Sequence, residues 1–274
     1  METIGFIGSG NMAEALINAV TSSGLFEPRH ILASDVRPER LDAVAKKYGV
    51  TTCHSNAELA GKVGILVLSV KPQDMDGALQ SIKTAVRPDA LLVSIAAGIR
   101  VSRITAVLGD VAVVRVMPNT PALIGEGASA LFANERAKTK LDKVRRIFSA
   151  AGKAVVVDDE DLIDVVTAVS GSGPAYYFLL IEEMINAAVK LGLPEDVAKD
   201  LVLQTAKGAA LLAVEADKNG EKPAGLRRKV TSPGGTTAAA LKVLADGGFG
   251  SLVAAAIERA RDRSKELSGP AIQR

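Results

Sequence analysis

Short apolar runs alternate with stretches of helical period through the first half of the chain. Thr3 to Ile7, Ile31 to Ser34, Val63 to Val70, Leu91 to Ile95, Val111 to Met117, Ala128 to Phe132 and Lys153 to Val157 read as strands. Most are continuously apolar, which predicts a sheet covered on both faces, because a sheet with one wet face would carry polar residues at every second position. Between them, Asn11 to Ser22, Pro38 to Tyr48, Asp74 to Val86 and Ala137 to Ala151 have the spacing of helices. Strand and helix in alternation predict an α/β fold with crossover helices.

After Asp158 the strand signal stops, and the remaining chain reads as helices punctuated by Gly and Pro. The expected division is an α/β domain over 1–157 and an all-helical domain over 158–274. Pro194-Glu195-Asp196 opens a helix running to about Glu215, with Val197, Leu201 and Leu212 on one side. Apolar stripes on nearly every late helix exceed what so small a domain buries alone, which predicts a subunit interface. Asp158-Asp159-Glu160-Asp161 has two readings: a metal-binding carboxylate cluster, or acids gathered at the positive start of a helix.

Composition narrows the partners. The 274 residues carry 33 basic and 31 acidic side chains, too even a balance to grip nucleic acid or an anionic membrane. Six Phe, three Tyr and no Trp leave little for stacking on bases. Cys53 is the single cysteine and His30 and His54 are the two histidines, so neither a disulfide framework nor a Cys/His zinc set is available, and the cysteine usage fits a reducing cytoplasm. The longest uncharged stretch, Val165 to Ile181, is interrupted by Ser-Gly-Ser-Gly-Pro, and Met1-Glu2-Thr3-Ile4-Gly5 lacks the basic and apolar regions of an export signal. The expectation is a cytoplasmic protein with a small-molecule ligand, and no nucleic acid, membrane or metal.

Gly8-Ser9-Gly10-Asn11-Met12-Ala13 follows the strand ending at Ile7 and opens a helix, the context that the G-x-G-x-x-G/A dinucleotide fingerprint requires. Gly8 permits the tight turn, Gly10 lets the backbone approach a pyrophosphate, and the helix start supplies free N–H groups and positive dipole. Asp35, closing the second strand, suits the ribose hydroxyls of NAD(H). Ser34 and Arg37 suit the 2′-phosphate of NADP(H), so both cofactors stand. Ser69-Val70-Lys71-Pro72 and Ala96-Ala97-Gly98 lie at carboxyl ends of parallel strands, where ligands bind in open sheets. Met117-Pro118-Asn119-Thr120-Pro121 is a stiff loop suited to holding Asn119 near the nicotinamide.

A second constellation lies late in the chain. Val230-Thr231 leads from the basic stretch Leu226-Arg227-Arg228-Lys229 into Ser232-Pro233-Gly234-Gly235-Thr236-Thr237, ahead of a helix expected from about Ala238. A Gly-Gly turn before a helix presents unpaired N–H groups that can hold a carboxylate without a cationic side chain. The hydroxyls of Thr236 and Thr237 can cap the helix or face the ligand.

Taken together, Gly5-Phe6-Ile7-Gly8-Ser9-Gly10-Asn11-Met12, Val70-Lys71-Pro72-Gln73, Met117-Pro118-Asn119-Thr120-Pro121, Ser170-Gly171-Ser172-Gly173-Pro174-Ala175-Tyr176 and Ser232 to Thr237 resemble the pyrroline-5-carboxylate reductase family, in order, from about residue 3 to residue 268. The resemblance implies a Rossmann-type, doubly wound, mostly parallel α/β sheet followed by an all-α C-terminal dimerisation domain. It implies reduction of 1-pyrroline-5-carboxylate to L-proline, the last step of proline biosynthesis, by NAD(P)H. It also implies a homodimer of intertwined C-terminal helices, commonly assembled into a decamer. By the same resemblance Thr237 contacts the substrate ring nitrogen, Asn56 a cofactor ribose, and Lys71 with Pro72 the nicotinamide ribose. A rival, the 3-hydroxyacid dehydrogenases, resembles G-x-G-x-x-x-K-x-x-x-N at the start of the second domain. Here Gly171-Ser172-Gly173 puts Tyr177 and Ile181 in place of that Lys and Asn. A non-catalytic dinucleotide sensor would not need the segment from Val230 to Thr237.

Overall fold

The computed structural model describes residues 2–269. Eight strands form one sheet: β1 (Ile4–Ile7), β2 (Ile31–Ser34), β3 (Thr51–Thr52), β4 (Ile65–Leu68), β5 (Leu91–Ser94), β6 (Ala112–Met117), β7 (Gly127–Ala133) and β8 (Gly152–Val156). Their order is β3-β2-β1-β4-β5-β6-β7-β8, parallel throughout except where β7 runs against β6. The chain winds outward from β1 to β3, then returns across β1 to continue in the other direction from β4. The carboxyl ends of β1 and β4 therefore flank the switch point where open α/β sheets bind ligands.

Helices cover both faces, as the uninterrupted apolar strands require. On one face Ile4, Phe6, Val67 and Val93 pack against Leu16, Ile17 and Val20 of α1 (Asn11–Ser22) and Val144, Ile147 and Phe148 of α6 (Leu141–Ser149). On the other, Leu66, Leu68, Leu92 and Val113 meet Leu59 of α3 (Asn56–Lys62), Leu79 and Ile82 of α4 (Met75–Ile82) and Ile104 of α5 (Val101–Leu108). The helix α2 (Pro38–Tyr48) follows β2, with Pro38 at its first position and Gly49 in the left-handed conformation ending it. The sequence pattern anticipates every strand but β3, whose two exposed threonines are too few to show a period.

The chain forms two compact units: one running to Pro174 and resuming at Glu258, the other Ala175–Ile257. After α7 (Leu162–Val166), a π-helical turn covers Thr167–Gly171. Then come α8 (Gly173–Lys190), α9 (Glu195–Asp217), α10 (Pro223–Lys229), α11 (Thr236–Asp246) and α12 (Phe249–Ser268). Both α7 and the last part of α12 thus count with the sheet, because α7 packs on β6 and β7.

A buried ionic cluster explains that grouping. Arg115, in the middle of β6 and 1% exposed, reaches Glu160 at 3.0 Å and Asp164 of α7 at 3.6 Å. Asp164 accepts a 2.7 Å hydrogen bond from the Ser264 hydroxyl of α12, and Arg100 stands 3.6 Å from its other oxygen. Glu160 also accepts from the Val101 N–H at 2.9 Å, satisfying the start of α5, and Arg100 pairs with Asp161. Of the two readings of Asp158 to Asp161, the helix start matches their place, immediately ahead of α7 with Asp161 as its cap residue. Asp161 makes no side-chain cap there, and Glu160 and Asp161 are partners of Arg115 and Arg100. Among the described residues no group of three or more His, Cys, Asp or Glu could hold a metal ion.

Candidate active site

The turn between β1 and α1 is fixed by its backbone. Gly8 has φ 89°, and its N–H donates to the Ser34 carbonyl at 2.8 Å. A Cβ on Gly8 would lie 2.9 Å from the Ser69 carbonyl oxygen, so any other residue would have both the wrong dihedral and no room. The Ser69 hydroxyl closes the same turn by donating to the carbonyls of Ile7 and Gly8 at 2.9 and 2.6 Å. At Gly10, which caps α1, a Cβ would meet nothing within 4 Å. Open space at a helix start, beside N–H groups that the helix leaves unpaired, fits the pyrophosphate of a dinucleotide. Asn11 is exposed at this opening, and Met12 turns partly into the core.

The end of β2 is wired differently from the expectation. Both Asp35 oxygens are engaged inside the protein. Oδ2 accepts from the Ser9 N–H at 2.7 Å and its hydroxyl at 3.0 Å, and Oδ1 accepts from the Arg37 N–H at 3.0 Å and Nε at 3.2 Å. Burial works to raise the Asp35 pKa, but these donors outweigh it and hold the carboxyl below the usual aspartate range. Ser34 is buried and donates to the Asn56 Oδ1 at 2.8 Å, while the Asn56 amide donates to the Ser81 hydroxyl at 3.0 Å. The Arg37 side chain remains 61% exposed.

Elsewhere along the strand ends, Lys71 and Pro72 are exposed after β4, with Val70 partly buried behind them. Ala96 is buried and Ala97 half-buried. Gly98 is buried, with φ 72°. A Cβ there would stand 3.1 to 3.2 Å from Leu267, so it is the point where α12 crosses the β5–α5 loop. Asn119 is also spent internally: its amide donates to the Ser170 carbonyl at 3.0 Å and its oxygen accepts from the Ala128 N–H at 2.8 Å. It ties the stiff Met117 to Pro121 loop to the π-helical turn and to β7.

In the second unit, Gly234 has φ 69° and Gly235 is the cap residue of α11. The helix begins at Thr236, two residues earlier than expected, so neither threonine occupies the capping position and no side chain caps α11. The Gly235 N–H donates to the Ser232 carbonyl at 3.0 Å. The amides left to hold an anion are therefore those of the first helical turn, Thr236 and Thr237 among them, rather than Gly235. Val230 is exposed just after α10, and the Thr231 hydroxyl donates back to the Arg227 carbonyl at 2.6 Å.

Comparison with known proteins places this geometry. The family described as pyrroline-5-carboxylate reductase dimerisation matches residues 160–267, and the family described as NADP oxidoreductase, coenzyme F420-dependent, matches residues 3–98. The chain is 46% identical to the pyrroline-5-carboxylate reductase of Pseudomonas aeruginosa, over 97% of this chain and 96% of that one. The chain belongs to the pyrroline-5-carboxylate reductase family. Its fold superposes on the reductase of Coxiella burnetii with TM-score 0.90 at 38% identity, covering 98% of this chain and 99% of the other. For the Plasmodium falciparum reductase with NADP bound, the TM-score is 0.87 at 32% identity, covering 98% of both chains.

Members of the pyrroline-5-carboxylate reductase family are NAD(P)-dependent oxidoreductases. Sequence reasoning passed over two residues that shape the turn. Arg40 of α2 donates from Nε to the Ser9 carbonyl at 2.6 Å and pairs with Glu14 of α1. Glu14 also accepts from Lys47 at 2.9 Å and Tyr48 at 3.1 Å, and these bonds, the one from Lys47 foremost, hold its carboxyl below the usual range despite burial. The available signal was Glu14 in the first turn of α1, an acid that α2 could answer with Arg40 or Lys47.

Proposed function

We propose that this chain reduces 1-pyrroline-5-carboxylate to L-proline in the cytoplasm. The observation that carries the reading is the opening of α11. Gly234 in a left-handed conformation and an uncapped first turn present the amides of Thr236 and Thr237, in a chain that also carries a dinucleotide turn. Those amides suit the substrate carboxylate, with Gly234 and Gly235 shaping the approach and Val230 forming an apolar wall. The Thr237 hydroxyl accepts a hydrogen bond from the protonated imine nitrogen. A substrate that arrives protonated needs no strong general acid.

When bound, NAD(P)H supplies the hydride for the imine carbon. The chain's own contribution to the cofactor is positioning: the turn from Ile7 to Met12 under the pyrophosphate, and Lys71 with Pro72 at the ribose end. Thr237→Ala is expected to lower turnover by ~10²- to 10³-fold, the range for removing one hydrogen-bonding group aimed at the reacting centre. Near-normal turnover in that variant would remove Thr237 from the mechanism, and failure of the parent to oxidise NADPH or NADH with this substrate would remove the reading.

The match to a dimerisation family supports oligomerisation, and we further propose an intertwined homodimer assembled into a decamer. Tyr177, Phe178, Leu179 and Leu180 form a continuous exposed apolar run in α8, and Val197, Leu201 and Leu212 of α9 are likewise exposed. In the first unit, a groove of about 280 Å³ beside β8 and α7 is lined by Val155, Val165 and Val169. Apolar surface of this extent favours burial between subunits. Sedimentation velocity tests it, a monomer at micromolar concentration being the contrary result.

A further inference from the structure

We propose that Asp35 is a positioning residue that selects NADPH through Arg37, rather than the acceptor for the ribose hydroxyls of NADH. The inference rests on the reductase reading and concerns which cofactor its nucleotide turn prefers. An aspartate at the end of β2 favours NADH when its carboxylate points at the ribose with lone pairs to offer. Here four donors from Ser9 and Arg37 occupy the two oxygens, and the side chain is 5% exposed.

The two oxygens perform separate tasks. Oδ2 accepts from the Ser9 N–H and hydroxyl while Arg40 donates to the Ser9 carbonyl, so the residue ahead of Gly10 is held through both of its peptide groups. Oδ1 holds Arg37 by its N–H and Nε, which leaves the two terminal nitrogens of the fork free to meet a phosphate in bidentate fashion. Both carboxylates at this corner are already paired, Asp35 with Arg37 and Glu14 with Arg40 and Lys47. Ser34, the other candidate for a 2′-phosphate, is turned inward onto Asn56.

The two roles for Asp35 predict opposite signs. Dissociation constants of NADPH and NADH, read from cofactor fluorescence without substrate, decide between them. If Asp35 positions Arg37, Asp35→Ala weakens NADPH at least tenfold and NADH less, so the preference for NADPH falls. Arg37→Ala loses NADPH alone. In the Arg37→Ala background, Asp35→Ala then leaves the NADPH to NADH ratio unchanged, because the residue it acts through is gone. If Asp35 binds the ribose hydroxyls, its removal weakens NADH and raises the ratio, which overturns the proposal. Should Asp35→Ala fail to fold, Arg37→Lys keeps the charge but not the Nε tether. A loss of NADPH affinity of about fivefold or more with NADH unchanged is expected, and unchanged NADPH affinity refutes the clamp. A parent that binds neither nucleotide defeats the reductase reading itself, whereas a parent that binds and turns over, with an Asp35→Ala variant whose NADPH-to-NADH affinity ratio rises, defeats only the role of Asp35.

Discussion

The Ser264 hydroxyl donates to the Asp164 carboxylate at 2.7 Å, joining α12 to α7 across 100 residues of sequence, with both side chains buried. Ser264→Ala leaves that carboxylate one donor short in a place water does not reach. The expected loss is about 1 to 3 kcal/mol of unfolding free energy, measured by urea denaturation. An unchanged midpoint and slope would show that the bond adds nothing.

Arg115 holds the same cluster from the strand side. Arg115→Met strands Glu160 and Asp164 near one another without their buried cation, and a loss of about 3 to 5 kcal/mol is expected. Adding Glu160→Gln and Asp164→Asn should recover much of it, since the cost comes from uncompensated charge rather than from lost packing. Calorimetric melting of the single and triple variants checks the sign of that recovery.

Gly10 separates folding from ligand binding. A Cβ there meets nothing within 4 Å, so Gly10→Val should change the stability of the cofactor-free protein by no more than about 1 kcal/mol, the scale of a helix-cap substitution. Its side chain would occupy the space over the helix start, and affinity for both NADPH and NADH should fall by tenfold or more. Retained affinity would place the pyrophosphate elsewhere.

Asn119 joins the loop after β6 to the π-helical turn through the Ser170 carbonyl. Asn119→Asp keeps the acceptor for the Ala128 N–H but sets a carboxylate oxygen against that carbonyl. Amide hydrogen exchange across residues 167–173 should quicken selectively, while exchange in β1 and β4 stays at parent rates.

Acid should loosen the link between α1 and α2. The Glu14 pKa is lowered in the folded protein, chiefly by Lys47 and then, against burial, by Arg40 and Tyr48. Its contribution to stability is therefore complete above the unfolded value, near ~4.3 for glutamate, and is lost as pH falls through the lower folded value. Glu14→Gln should be less stable than the parent at neutral pH, and the difference should narrow below about pH 4. A gap constant down to pH 3 would rule out this linkage.

The strands were legible because both sheet faces are buried, which leaves Leu66, Val67 and Leu68 apolar in succession, and the glycine turn was legible because its dihedral and clearance admit few residues at Gly8. What the residues could not disclose was competition for hydrogen bonds. Asp35 sits where a ribose acceptor would stand, but Ser9 and Arg37 claim its oxygens, and Asn119 and Ser34 are likewise committed to neighbours far along the chain. Arg115 was readable and went unread: a cation inside Val113-Val114-Arg115-Val116-Met117 has to be neutralised, and the acids from Glu160 to Asp164 are what neutralise it.

The return of α12 to the sheet also sets an order of events during translation. The ribosome delivers Asp164 and Arg115 long before Ser264, so the nascent nucleotide-binding portion emerges with its ionic centre incomplete and must wait for the intervening helices. A message cut short before Glu258 would carry Arg115, Glu160 and Asp164 but leave the Asp164 carboxylate without the Ser264 hydroxyl.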